Sequence, residues 1–152
     1  MTSPAVVALS CKVDVKENTV LPRIDRGEIL FYNQSTRDLT RKKAGDAVTV
    51  VTAEAVTIYK GHGGEISVPV TVLGKTEVLM KRRHEGKVTQ EFTGTAQAGQ
   101  KLYYKYDDAE DAKKVVITPD KDVDGAELLG IAVHSITAGR TNSVDVIVNF
   151  AA

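Results

Sequence analysis

Tryptophan is absent from this 152-residue chain, cysteine occurs once, as Cys11, and aromatic residues make up only 5% of the total. The aromatic shortage leaves the core to Val, Ile, Leu and Ala. Such a core is thin for a chain of this length and makes help from subunit contacts an expectation. A lone cysteine excludes an intrachain disulfide framework and suits a reducing compartment. Neither sign of charge dominates, since 20 Lys and Arg offset 20 Asp and Glu. No global field therefore draws the protein to nucleic acid or to an anionic membrane. No apolar run approaches the roughly 20 residues of a membrane-spanning helix. Residues 1–9 also lack the basic start and long apolar stretch of a secretory signal. The expectation is a soluble protein made in the cytoplasm. Helical periodicity sustained over three turns is missing as well.

What the chain does have is β-branched residues in short runs, with apolar positions recurring at period 2 and turn residues every 8–12 positions or so. This predicts an all-β protein, a compact β-sandwich or β-barrel domain over residues 27–152 with an extended N-terminal arm over residues 1–26. The arm holds two of the four prolines, Pro4 and Pro22, and short apolar pieces suited to edge strands. Strands are predicted over residues 28–32, 47–51 and 55–59, and residues 33–43 read as one short helix or an irregular loop. Ile66, Val68, Val70 and Val72 line one face of a further strand. Pro69, which has no amide proton, argues that this strand lies at an edge or carries a bulge. Residues 73–76 read as a tight turn into another strand over 77–81. Three more strands are read near residues 101–106, 129–133 and 144–148.

Several groups of residues invite a chemical reading. Asp120-Lys121-Asp122-Val123-Asp124-Gly125 matches the opening of a calcium loop, with carboxylates at alternate positions and Gly at the sixth. The twelfth position, where a bidentate Glu belongs, is Ile131, and the flanks read as strands, so a polar loop is the better account. Gly61-His62-Gly63-Gly64 is Gly-rich but is followed by neither Lys-Ser/Thr nor a helix, as a phosphate cradle requires. His62, His84 and His134 have no ligand spacing. Ser10 and Cys11 lie in the arm with no nearby histidine to activate them. Tyr104 and Tyr106 alternate with Lys105, as tyrosines serving a core do. The expected protein is not an enzyme and carries no metal or cofactor. Lys81-Arg82-Arg83-His84 is a compact basic cluster without interleaved aromatics. It reads as a patch toward an acidic protein partner or as a solvated turn.

The motifs Ala44-Gly45-Asp46-Ala47-Val48, Ala98-Gly99-Gln100-Lys101-Leu102-Tyr103-Tyr104 and Leu129-Gly130-Ile131-Ala132-Val133 precede a final strand, Val144-Asp145-Val146-Ile147-Val148. In this order they resemble small β-rich proteins of tailed phages, encoded near the major capsid gene and regarded as capsid decoration or cement proteins. The resemblance covers about residues 44–150. It implies a non-catalytic protein that binds the outer surface of the capsid, bridges capsomers and partners the major capsid protein. It also implies a homo-oligomer, a trimer ahead of a dimer, located on the virion after synthesis in the host cytoplasm. The expected shell contacts are Lys81, Arg82 and Arg83, together with the arm through strand addition at Val13 and Val15. The alternative is a polysaccharide- or receptor-binding β-module of a phage or bacterium, which would need an aromatic groove.

Overall fold

The computed structural model describes residues 5–13, 23–43, 45, 47–57, 64–84, 86–109 and 113–150. Among them are fifteen strands and no helix, so the fold is all-β. Six strands, β1 (Ala5–Val13), β2 (Arg23–Ile24), β3 (Ile29–Tyr32), β4 (Leu39–Thr40), β5 (Val48–Thr52) and β6 (Val56–Thr57), precede the 16-residue β7 (Gly64–Leu79). After it come β8 (Lys81–His84), β9 (Lys87–Phe92), β10 (Thr95–Ala96) and β11 (Lys101–Asp107). The chain closes with β12 (Lys114–Thr118), β13 (Glu127–Ala132), β14 (Ile136–Thr137) and β15 (Ser143–Asn149). One large sheet runs β4-β3-β5-β7-β15-β13-β11-β12-β9-β8, and β1 is added at β7. β9 and β12 are parallel neighbours; the other pairs of the sheet are antiparallel.

β7 is the spine of this sheet. It pairs with β1 from Gly64 to Leu73, with β5 at Val70 and Thr71, and with β15 from Leu73 to Leu79. The tight turn expected at residues 73–76 is therefore not there. Gly74 sits inside the strand at φ 103°, opposite Val148. The left-handed backbone that only glycine adopts cheaply bends the strand here without reversing it. Pro69 lies where the β5 pairing ends, and its carbonyl accepts the Ala53 amide at 2.9 Å. There its missing donor breaks no described ladder bond.

Two apolar cores form on opposite faces of the short strands. Successive residues of β3 alternate between them: Ile29 and Phe31 join one core, Leu30 and Tyr32 the other. In β5, Val51 and Val50 divide in the same way. The larger core lies between this layer and the inner faces of β11, β12, β13 and β15, with Leu102, Ile117, Leu129 and Val146 fully enclosed. Two layers face one another across it, as in a β-sandwich. The smaller core is built from Val68 and Val70, with Ile66 and Val72 beside them, the face that period-2 reading picks out.

The division into an arm and a domain fails for the arm's described residues. Cys11 and Ile24 belong to the smaller core, and β1 is hydrogen-bonded along β7 of its own chain. Within β1 only Cys11 and the half-buried Leu9 turn toward this core, while Val6 and Val7 stay exposed, a division that short runs viewed in isolation do not reveal. Residues 33–43 contain no helix. Asn33 Oδ1 accepts the amides of Ser35 (2.9 Å) and Thr36 (3.0 Å), a side-chain turn that leads directly into β4.

Candidate functional site

The basic cluster expected at the surface is divided by its own strand. β8 alternates, so Lys81 and Arg83 are exposed while Arg82 is 6% exposed. Arg82 Nε lies 2.7 Å from Asp25 Oδ2 and 3.2 Å from Glu28 Oε2. Its terminal nitrogens donate to the Arg23 carbonyl (3.2 Å) and to Thr89 Oγ1 (3.3 Å). Arg41 holds the other side of Glu28 and donates 2.6 Å to the same Arg23 carbonyl. Two guanidinium groups and two carboxylates thus balance inside the protein, and buried charge persists only where it is paired in this way. Arg82 is consequently withdrawn from the set of shell contacts, because its fork ties residues 23–28 to β8. Its sequence neighbours face solvent.

Of the two valines expected to add a strand to a partner, Val13 ends β1, its backbone opposite Gly64. Val15 lies outside the described residues, as do His62 and Tyr59. The free strand edge is upstream. β1 pairs only with β7 among the described strands, and Lys12 turns its amide the other way, to the Arg37 carbonyl at 2.8 Å. By the period of a strand, the backbone groups of Ser10, Ala8 and Val6 face that same outer edge. The Ser10 carbonyl accepts the Tyr32 hydroxyl at 2.7 Å. Val6 and Val7 are exposed. This edge carries no charge between Ala5 and Leu9.

A second apolar surface covers the outer face of the large sheet. Ile131 and Ile147 are directly opposite one another, and their outer neighbours in register are Lys101 and Lys75. A bulge places Tyr103 opposite Leu128 and Leu102 opposite Gly130, with Leu129 as the extra residue. The shift of phase leaves Leu128 and Ile131 both exposed although they are three residues apart. Leu73, Leu128, Ile131 and Ile147, with Lys101 and Asn149 beside them, line a shallow groove of about 270 Å³. Neither Lys75 nor Lys101 has an ion-pair partner among the described residues. Sequence reading missed these residues. Their signal was an apolar residue out of phase, as Ile147 is between the inward Val146 and Val148.

Among the remaining candidates, Tyr104 and Tyr106 serve structure. Tyr104 is buried and its hydroxyl meets Thr49 Oγ1 at 2.9 Å and Glu127 Oε2 at 2.8 Å. Burial pushes this phenol up; the hydrogen bond with Thr49 lowers it in part, and the hydrogen bond and charge of Glu127 raise it further. Tyr106 stacks on Phe31 with ring centroids 5.8 Å apart. In the acidic loop, Asp120 Oδ1 accepts the Asp122 amide at 2.9 Å, while Asp122 and Asp124 point into solvent. Among the described residues no three His, Cys, Asp or Glu side chains are placed to share a metal ion. No protein-family model and no curated protein matches the chain.

Proposed function

We propose that this protein is a capsid decoration protein of a tailed phage, which binds the outer surface of the major capsid shell and bridges capsomers without catalysis. The outer edge of β1 carries this reading: an uncharged strand, Ala5–Leu9, with Val6 and Val7 exposed and no second strand partner among the described residues. Soluble proteins blunt such edges with lysine, proline or a covering loop, so an edge left plain is suited to receive a strand from a partner. The internally braced sheet behind it supports the reading, because a cement protein must transmit load and not deform. Lys81 and Arg83 would steer the approach to an acidic shell and contribute little to affinity. In this reading the protein needs no nucleic acid, membrane, metal or cofactor, and it resides on the virion after synthesis in the host cytoplasm.

Cosedimentation of the purified protein with empty shells of its own phage tests the proposal. The wild type should pellet with shells. Ala8→Pro, which deletes an amide on the outer edge and none directed at β7, should weaken binding at least tenfold with the circular dichroism spectrum unchanged. A wild type that never associates with shells defeats the decoration role, and a sugar- or receptor-binding module then leads. Shell binding that Ala8→Pro leaves intact removes the β1 edge as the docking surface.

A further inference from the structure

We infer that the apolar groove on the outer face of β7, β15 and β13 binds a second copy of this chain, through that copy's loop Asp120–Gly125. Across four neighbouring strands the sheet face that holds the groove presents the row Lys101, Ile131, Ile147, Lys75, an isoleucine pair bracketed by two cations, with Lys75 just outside the groove's lining. The chain carries the complement of this row. Asp122-Val123-Asp124 sets a half-buried valine between two exposed carboxylates in the loop that joins β12 and β13. Val123 would cover Ile131 and Ile147 while the aspartates meet the lysines. Apolar burial would supply most of the affinity, and the two charge pairs would set register and direction.

Two further observations favour a second copy over an unrelated acidic peptide. First, the described polar bonds of the loop are local: Asp120 N–H to Thr118 Oγ1 at 3.1 Å, Asp122 N–H to Asp120 Oδ1 at 2.9 Å and Ala126 N–H to the Val123 carbonyl at 3.0 Å shape the turn and reach no farther than Thr118. Second, loop and groove adjoin, since Val123 is followed five residues later by Leu128 of the groove, a reach of at most about 18 Å. A donor and an acceptor that lie side by side but are different surfaces make a head-to-tail contact. Such a contact closes into a small ring when both lie close to the symmetry axis. The same loop thus gains a role that calcium binding does not provide. A ring would also repeat the β1 edge around its axis, so several weak strand contacts could act together. The interface itself does not rest on the shell-binding reading, because the purified protein alone reveals it.

Sedimentation velocity of the full chain from about 1 to 100 µM, with the pair Lys75→Glu and Lys101→Glu and the pair Asp122→Lys and Asp124→Lys, decides the matter. All four positions are exposed, so each variant should keep the wild-type circular dichroism spectrum. The wild type should sediment as an oligomer, with association weakened by added salt. Each charge-reversed pair should raise the dissociation constant at least tenfold, and combining all four reversals should restore association to within a few-fold. A wild type that stays monomeric throughout overturns the inference, as does an oligomer that neither pair weakens. Loss in both pairs without recovery in the combined variant shows that the loop is not the occupant.

Discussion

Gln90 completes the backbone of Ile29. Its Oε1 accepts the Ile29 amide at 2.7 Å, while Nε2 donates to the carbonyls of Leu79 (2.7 Å) and Gly27 (3.1 Å). Gln90 is 1% exposed, so no water can replace it from outside. One side chain on β9 therefore stands in for a strand neighbour that β3 lacks at this point. Gln90→Leu keeps the volume but strands the Ile29 amide and the Leu79 carbonyl. At about 1–3 kcal/mol for each orphaned buried group, a loss of about 2–6 kcal/mol in urea unfolding is expected. A change below 1 kcal/mol would show that the bonds are replaceable.

Arg82 and Arg83 should behave oppositely despite being adjacent. Arg82→Ala leaves the buried Glu28 carboxylate with Arg41 alone and should cost about 3–5 kcal/mol. Arg83→Ala and Lys81→Ala, both exposed, should stay within about 0.5 kcal/mol of the wild type. Under the proposed decoration role the ranking should invert in shell attachment: replacing Lys81 and Arg83 together is expected to slow association and flatten its salt dependence. Equal destabilisation by all three would contradict the division of β8 into two faces.

Gly27 and Gly99 separate backbone strain from steric clash. Both have left-handed φ, 81° and 88°. A Cβ at Gly27 would lie 2.8 Å from the Glu77 carbonyl oxygen and 3.1 Å from the Leu79 nitrogen, whereas at Gly99 it meets nothing within 4 Å. Gly99→Ala should cost about 1 kcal/mol, the conformational penalty alone. Gly27→Ala should cost at least about 2 kcal/mol more, because the Leu79 amide already bonds the Gly27 carbonyl at 2.9 Å and holds this turn against β7. Similar melting temperatures for the two variants would refute this.

Cys11 predicts an alkaline limb in the stability curve. Burial pushes its thiol from 9.0 up to about 11. In the unfolded chain the thiol ionises first, near its ordinary value, while the folded protein keeps the proton. The unfolded state thus binds fewer protons between about pH 9 and 11, and stability falls across that window by up to about 3 kcal/mol. Below pH 8 this group should have no effect. Cys11→Ala should remove the fall that begins near pH 9 and leave a later one from Tyr104, whose phenol is also raised. The urea midpoint measured from pH 7 to 11 for both proteins reads this directly, and identical slopes would sink it. Native Cys11 should also resist thiol reagents at pH 8 until the protein unfolds.

The sequence by itself determined that the fold is all-β and, for several strands, which face turns inward. Ile66, Val68, Val70 and Val72 line the smaller core as their spacing requires, and Val144, Val146 and Val148 line the larger one. Period 2 is a local property of the backbone, so it can be read without knowing any partner. Pairing is not local. That β1 lies along Gly64–Leu73, that β7 continues through Gly74, and that β9 runs parallel to β12 depend on contacts between distant residues. The fate of Lys81-Arg82-Arg83 was decided at the same level. Three consecutive cations look alike in sequence, but strand alternation points the middle one inward, and only the arrival of Asp25 and Glu28 from another part of the chain makes its burial tolerable. The exposed row of Ile131 and Ile147 follows the same logic: each residue reads locally as core, and the sheet register alone places both on the outside.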